Sequence, residues 1–149
     1  YWRRTGFRCI MPSVYPQVGQ VAILNLMLGK AGALDEPLIL RLYSNDRTPA
    51  TTDVASDYTE VAGGGYAEEA LEGASFTVSA GDPSVAIYDD FHTWTFSGVT
   101  DSPGTVYGTY IVDQNDVLVA ALRFTGAPYT PIAASLIKIR PRITCASAS

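Results

Sequence analysis

The chain has 149 residues, 47% of them apolar and only 17% charged, with a net charge of −5. That length fits one domain of roughly 100–150 residues. Its low charge argues against disorder, and no apolar run reaches the roughly 18 residues of a membrane-spanning helix. His92 is the single histidine, which removes most metal and acid–base schemes, so composition points away from an enzyme and toward a binding or structural module.

Met11 reads as a natural start. The ten residues before it, YWRRTGFRCI, read as a basic extension without the apolar stretch of a secretory signal. The expectation is a chain that folds in a cytoplasm, with an N-terminal arm over 1–17 and one β-rich domain over 18–149. Val18 to Gly29 is the clear helix: Val18, Ala22, Met27 and the Ile23, Leu24, Leu26 and Leu28 group are apolar nearly all round, and Gly29 and Gly32 are plausible stops. A helix this apolar must be covered, by the core or by a partner.

After Pro37 the period changes to two. Leu38, Leu40 and Leu42 alternate with Ile39, Arg41 and Tyr43, as in a strand. Residues 44–72 read as an acidic loop containing Gly63-Gly64-Gly65. Short strands follow over 75–79, 84–88 and 93–97, separated by Ala80-Gly81-Asp82-Pro83 and other turn residues. Thr105–Val112 and Val117–Phe124 flank Asp113-Gln114-Asn115-Asp116 and form the strongest local signal, a β-hairpin. Ser135 to Thr144 alternates Leu136, Lys138, Arg140 and Arg142 with Ile137, Ile139 and Ile143, giving a final strand with one basic face and Pro141 marking a sheet edge. Strands every 8–12 residues between Gly, Pro and Asp turns predict a mainly β fold, a single β-sandwich or jelly-roll-like domain with one N-terminal helix.

Charge is unevenly placed. Residues 1–43 sum to +3, residues 44–116 hold thirteen acids and the one base Arg47, and residues 117–149 carry Arg123, Lys138, Arg140 and Arg142 with no acid. If the basic ends meet in space they form a face for an acidic partner; the alternative is charge scattered over a solvated surface. An acidic chain without a dense Lys/Arg stripe does not fit nucleic-acid binding. Cys9 and Cys145 lie near opposite ends; they read as free thiols, though a bridge remains possible if the termini converge. Two such distant thiols make a poor metal site, and no cofactor motif is present.

His92 follows Asp89 and Asp90, but no G-x-S-x-G elbow accompanies the serines, and an aromatic strand with Phe91, Trp94 and Phe96 explains it as well. Asp89/Asp90 and Glu68/Glu69 are adjacent pairs, which a strand sends to opposite faces, so they suit solvated loops better than glycoside hydrolysis. Asp113, Asn115 and Asp116 offer oxygens to calcium but lack the glycine and bidentate glutamate of an EF-hand; a hairpin turn accounts for them. Gly63-Gly64-Gly65 lacks the Lys-Ser/Thr of a phosphate loop. Tyr88, Tyr107, Tyr110 and Tyr129 serve either as sheet filling or as a groove for a partner or glycan.

The ordered blocks VGQVAILNLML, LILRLYSNDRTPATTDVASDYTEV, GGGYAEEAL, FHTWTFSG, TVYGTYIVDQNDVLVAALRF and LIKIRPRIT, spanning Val18 to Thr144, resemble a family of small proteins encoded near the structural genes of tailed phages. The resemblance implies a virion component made in the host cytoplasm, most plausibly a capsid decoration or cement protein on the capsid surface. The implied partners are the major capsid protein and further copies of the chain, with no nucleic acid and no membrane. Such a protein needs a stiff β body whose sheet edges are protected by pairing across subunits or to the shell. Expected capsid contacts are Arg3, Arg4, Arg8, Lys138, Arg140 and Arg142, with Arg123 as an outlying helper and the helix supplying apolar packing. The alternative is a tail or fibre module that binds a host-surface glycan through Tyr and Trp strands.

Overall fold

The computed structural model describes residues 14–27, 37–80 and 84–145. The fold is mainly β and sandwich-like, with three antiparallel sheets and one helix, as the turn spacing predicts. The main sheet has the order β2-β1-β6-β7, built from β1 (Leu38–Tyr43), β2 (Glu69–Leu71), β6 (Gly108–Val112) and β7 (Leu118–Arg123). A second sheet, β3-β4-β9, uses β3 (Phe76–Ser79), β4 (Ser84–Tyr88) and β9 (Arg142–Cys145). A two-stranded ladder joins β5 (His92–Thr95) to β8 (Leu136–Ile139).

Strict alternation along β1 divides the interior. Leu40 and Leu42 join Leu71, Val106, Tyr88, Trp94, Phe96 and Ile139, so one face of the main sheet packs on the root of the second sheet and on the β5–β8 ladder. Tyr43, on the opposite face, joins Tyr58, Tyr110, Val112, Leu118 and Ala121. The Tyr58 and Tyr110 rings stack at 5.2 Å, and Tyr43 meets Tyr58 edge-on at 5.0 Å. Residues from the segment 44–58 cover this second face.

Helix α1 (Gln17–Met27) closes the open edge of β7. Val14 exchanges both backbone hydrogen bonds with Ala121, at 3.0 and 3.1 Å, so residues 14–16 of the expected arm are seated on the sheet. The helix then leans on β7 through its smallest residues. A Cβ on Gly19 would stand 2.6 Å from the Leu118 carbonyl oxygen, and Ala22 is buried beside it. This close glycine contact lays one side of the helix on β7, while Val18 and Val21 on the other side are 39% and 55% exposed. Residues 28 and 29 of the expected helix lie outside the described residues.

Two expectations are corrected. The acidic segment 44–72 contains strand β2, whose Glu69, Ala70 and Leu71 pair with Leu40, Ile39 and Leu38. Only the partner strand makes so polar a stretch extended. The expected strand 135–144 is two strands in two sheets: β8 pairs with β5 and β9 with β4. Pro141 lies at the joint, where its carbonyl accepts from Tyr88 N at 3.0 Å but its ring nitrogen has nothing to donate. The apolar alternation reads through this break because Ile139, buried on β8, and Ile143, half-buried on β9, keep the same spacing although they belong to different sheets. The expected hairpin is formed as β6–β7, with one register shift near Ile111 and Val112. Gly63, Gly64 and Gly65 all have φ near +60 to +80°, specifically 71, 59 and 79°, and this left-handed run brings Gly64 O to within 2.8 Å of Ser97 N.

Candidate functional site

The described cations separate into two groups. Arg41 leaves β1 toward three carboxylates, Glu68 and Asp116 at 2.8 Å and Glu60 at 3.5 Å. Burial works against its charge, but these neighbours more than reverse that and raise its pKa. Arg123 binds Asp46 at 2.7 Å and the Arg47 carbonyl at 3.0 Å, and lies 4.9 Å over the Tyr107 ring. Arg47 holds Asp53 through Nη2 and Nε, with Asp57 at 3.7 Å. All three arginines are therefore spent on the acidic middle of the chain. Arg123 lies on the tyrosine side of the main sheet, away from β8 and β9.

Asp53 is the centre of an enclosed polar cluster. Its carboxylate has no solvent exposure and accepts from Tyr58 Oη at 2.6 Å and Ala50 N at 3.0 Å besides Arg47. Burial alone would push this carboxyl up; the bonds from Arg47, Tyr58 and Ala50 outweigh it and hold the pKa below its ordinary value. Burial, then the Asp53 charge, pushes the Tyr58 hydroxyl well up, and burial, with Glu60 adding to it, raises Tyr110 to about 12. Both phenols are neutral donors or packing groups at neutral pH. The cluster ties the segment 44–58 to the main sheet, and Thr51 O accepts from Gln17 N at 2.9 Å, tying it to α1 as well. Nothing in the sequence marks Asp53 among thirteen central acids; its only local cue is the short Thr/Pro-rich stretch that returns it toward Arg47.

The other group lies on β8 and β9. Lys138 and Arg142 are exposed and form no ion pair among the described residues. Arg140, at the joint between the strands, folds back: Nε donates to Tyr88 O at 2.6 Å and Nη2 to Asp89 O at 2.9 Å, with the guanidinium 5.8 Å over the Phe91 ring. It clasps the β4–β5 connection to the β8–β9 joint. Of the predicted cationic contacts, Lys138 lies on β8, Arg142 on β9 and Arg140 at the joint between them, where it has a fastening role. Arg3, Arg4, Arg8 and Cys9 lie outside the described residues. Two exposed apolar side chains accompany this group: Leu136, at 56%, two residues before Lys138 on β8, and Phe91, at 55%, under the Arg140 guanidinium.

His92 sits on β5 opposite Ile139, its ring 4.7 Å from that of Tyr88. Its nearest carboxylate is Glu69, 3.6 Å from Nδ1, rather than Asp89 or Asp90. Asp89 accepts from Thr77 Oγ1 at 2.7 Å. Asp113 receives Asn115 N and Val117 N at 2.8 Å each, so it shapes the hairpin turn. No group of three or more His, Cys, Asp or Glu among the described residues is arranged to hold a metal. Tyr88, Tyr110 and Trp94 are buried, the Trp94 Nε1 donating to Ala67 O at 2.7 Å, whereas Tyr107 and Tyr129 are half-buried.

No family model, curated protein or solved structure matches this chain.

Proposed function

We propose that this protein is a structural component of a tailed-phage particle, a decoration protein that fastens to the major capsid protein and strengthens the head. The observation that carries the reading is the division of the cations. Arg41, Arg47 and Arg123 are neutralised internally, whereas Lys138 and Arg142 form no ion pair among the described residues, with exposed Leu136 two residues before Lys138 and exposed Phe91 under Arg140. A face with uncompensated positive charge and apolar patches suits an acidic, partly apolar docking surface. The resemblance of the sequence blocks to phage proteins supplies the kind of partner. The glycan-binding alternative draws less support, because the strand aromatics Tyr88, Trp94 and Tyr110 are turned into the interior.

The test is binding of the purified chain to undecorated heads over a salt series. Reversing Lys138 and Arg142 to Glu, with Arg140 intact, is expected to lower occupancy and flatten its salt dependence. Unchanged occupancy at moderate salt overturns the anchoring role, and density for the protein on the tail rather than the head overturns the capsid assignment.

A further inference from the structure

The second sheet ends in two open strands, and the ladder shows which backbone groups of β3 are left over. In β3–β4 the partners are Phe76–Tyr88, Thr77–Ile87, Val78–Ala86 and Ser79–Val85. One step beyond, Asp89 N donates to Ser75 O at 2.8 Å. Hydrogen-bonded pairs alternate along an antiparallel ladder, so Ser75, Thr77 and Ser79 face β4. The N–H and C=O of Val78 and Ala80 and the C=O of Phe76 therefore point away from the sheet, and no described residue bonds to them; the Phe76 N–H donates to Gly73 O.

Several other edges are guarded. The outer side of β7 is taken by Val14 and by α1. Strand β2 is three residues long and begins at Glu69, with Glu68 and Glu72 flanking it. Just beyond β5, Ser97 N donates to Gly64 O, and the Trp94 side chain reaches Ala67 O. Lys138 stands on β8 and Arg142 on β9. Strand β3 reads FTVS, with no charge and no proline, and its Val78 is 71% exposed. These are the properties of an edge that pairs.

We infer that β3 is a homotypic interface, pairing antiparallel with β3 of a second copy across a two-fold axis that passes beside Val78. Outward-facing backbone groups demand an extended strand as occupant. The copy fits because Val78 bonds Val78 of the other copy in both directions, and Ala80 N–H of each copy reaches Phe76 O of the other. No like charges meet across the axis, and one patch serves both copies, as two-fold symmetry requires. Two three-stranded sheets become one of six strands, and Val78 is buried against its counterpart. The inference goes beyond capsid docking and does not depend on it. The interface is uncharged, so added salt does not weaken it, whereas salt weakens attachment through Lys138 and Arg142.

Sedimentation of the full chain over a concentration series, with hydrogen exchange at Val78, tests the pairing directly. A monomer–dimer equilibrium with Val78 N–H protected in the dimer is expected. A register test uses single cysteines in a chain carrying Cys9→Ser and Cys145→Ser. Cα atoms of a hydrogen-bonded antiparallel pair lie about 5.5 Å apart, within the reach of a disulfide, so Val78→Cys is expected to cross-link to itself. Thr77→Cys, which falls opposite Ser79 of the copy, is expected not to. Val78→Pro removes the outward donor without touching the β3–β4 bonds and is expected to leave a folded monomer. A wild-type chain that stays monomeric at all concentrations, equal cross-linking at 77 and 78, or Val78 protection that appears only when another protein is added overturns the inference.

Discussion

Replacing Asp53 by Asn tests whether the enclosed carboxylate organises the face of the main sheet that the tyrosines fill. The side chain is fully enclosed and accepts from Tyr58 Oη, Ala50 N and two nitrogens of Arg47. Asn keeps the volume but loses the charge and turns one acceptor into a donor that faces other donors. Hydrogen bonds to a charged group contribute about 1.5–3 kcal/mol, and a donor left buried without a partner costs about 1–3 kcal/mol. The half-exposed side of the cluster, at Arg47, is screened by water, so the expected loss is about 2–3 kcal/mol in total. For about 150 residues each kcal/mol lowers Tm by about 2–4 °C, which gives a fall of roughly 4–12 °C at pH 7.

The pH dependence supplies a sign. The folded Asp53 carboxyl titrates below its ordinary value. Its contribution is therefore present above the unfolded carboxyl pKa of about 3.9 and is lost as pH falls through the lower folded value. The gap in Tm between wild type and Asp53→Asn is expected to narrow on acidification below about pH 4. Thermal unfolding of both proteins at pH 7 and at pH 3 measures it. A gap under about 0.5 kcal/mol at neutral pH, which is the range of an ordinary surface change, would refute the reasoning, and so would a gap that does not shrink in acid.

Three further outcomes follow from contacts of the same kind. Gly19→Ala places a Cβ 2.6 Å from Leu118 O; overpacking of this sort costs about 1–3 kcal/mol, and exchange at Ala121 N–H, bonded to Val14, is expected to accelerate as the helix lifts from β7. Trp94→Ala removes a side chain only 4% exposed whose Nε1 reaches Ala67 O; an expected loss of about 3–5 kcal/mol is read by denaturant titration. Arg140→Ala deletes two bonds to the Tyr88 and Asp89 carbonyls and is expected to cost about 1–3 kcal/mol, whereas Lys138→Ala and Arg142→Ala stay within about 0.5 kcal/mol; equal stability of all three variants would contradict the clasp.

Local pattern made a large part of the fold legible. Strands β1 and β4 have the bounds that alternation and flanking turn residues assign, because Leu38–Tyr43 and Ser84–Tyr88 each lie between breakers. The β6–β7 hairpin was readable because both strands are neighbours in sequence and the turn carries its own caps at Asp113. Strand β2 was not, because Glu69 and Ala70 have weak strand preference and gain their conformation from β1, some thirty residues away. The break at Pro141 was visible as a residue but not as a change of sheet, since isoleucines at the same spacing precede and follow it.

The amino-acid order on its own determined the mainly β class, the helix near the start, most strand positions and the uneven distribution of charge, all consequences of short-range periodicity and turn chemistry. Which charges remain free was decided in three dimensions: Arg41 meets Asp116 across the main sheet, Arg123 meets Asp46, and Arg140 turns back onto β4. Coulomb attraction and hydrogen bonding act over a few ångströms of space and take no account of separation along the chain. The same holds for the open edge of β3, since a strand becomes an edge only when the sheet around it is complete.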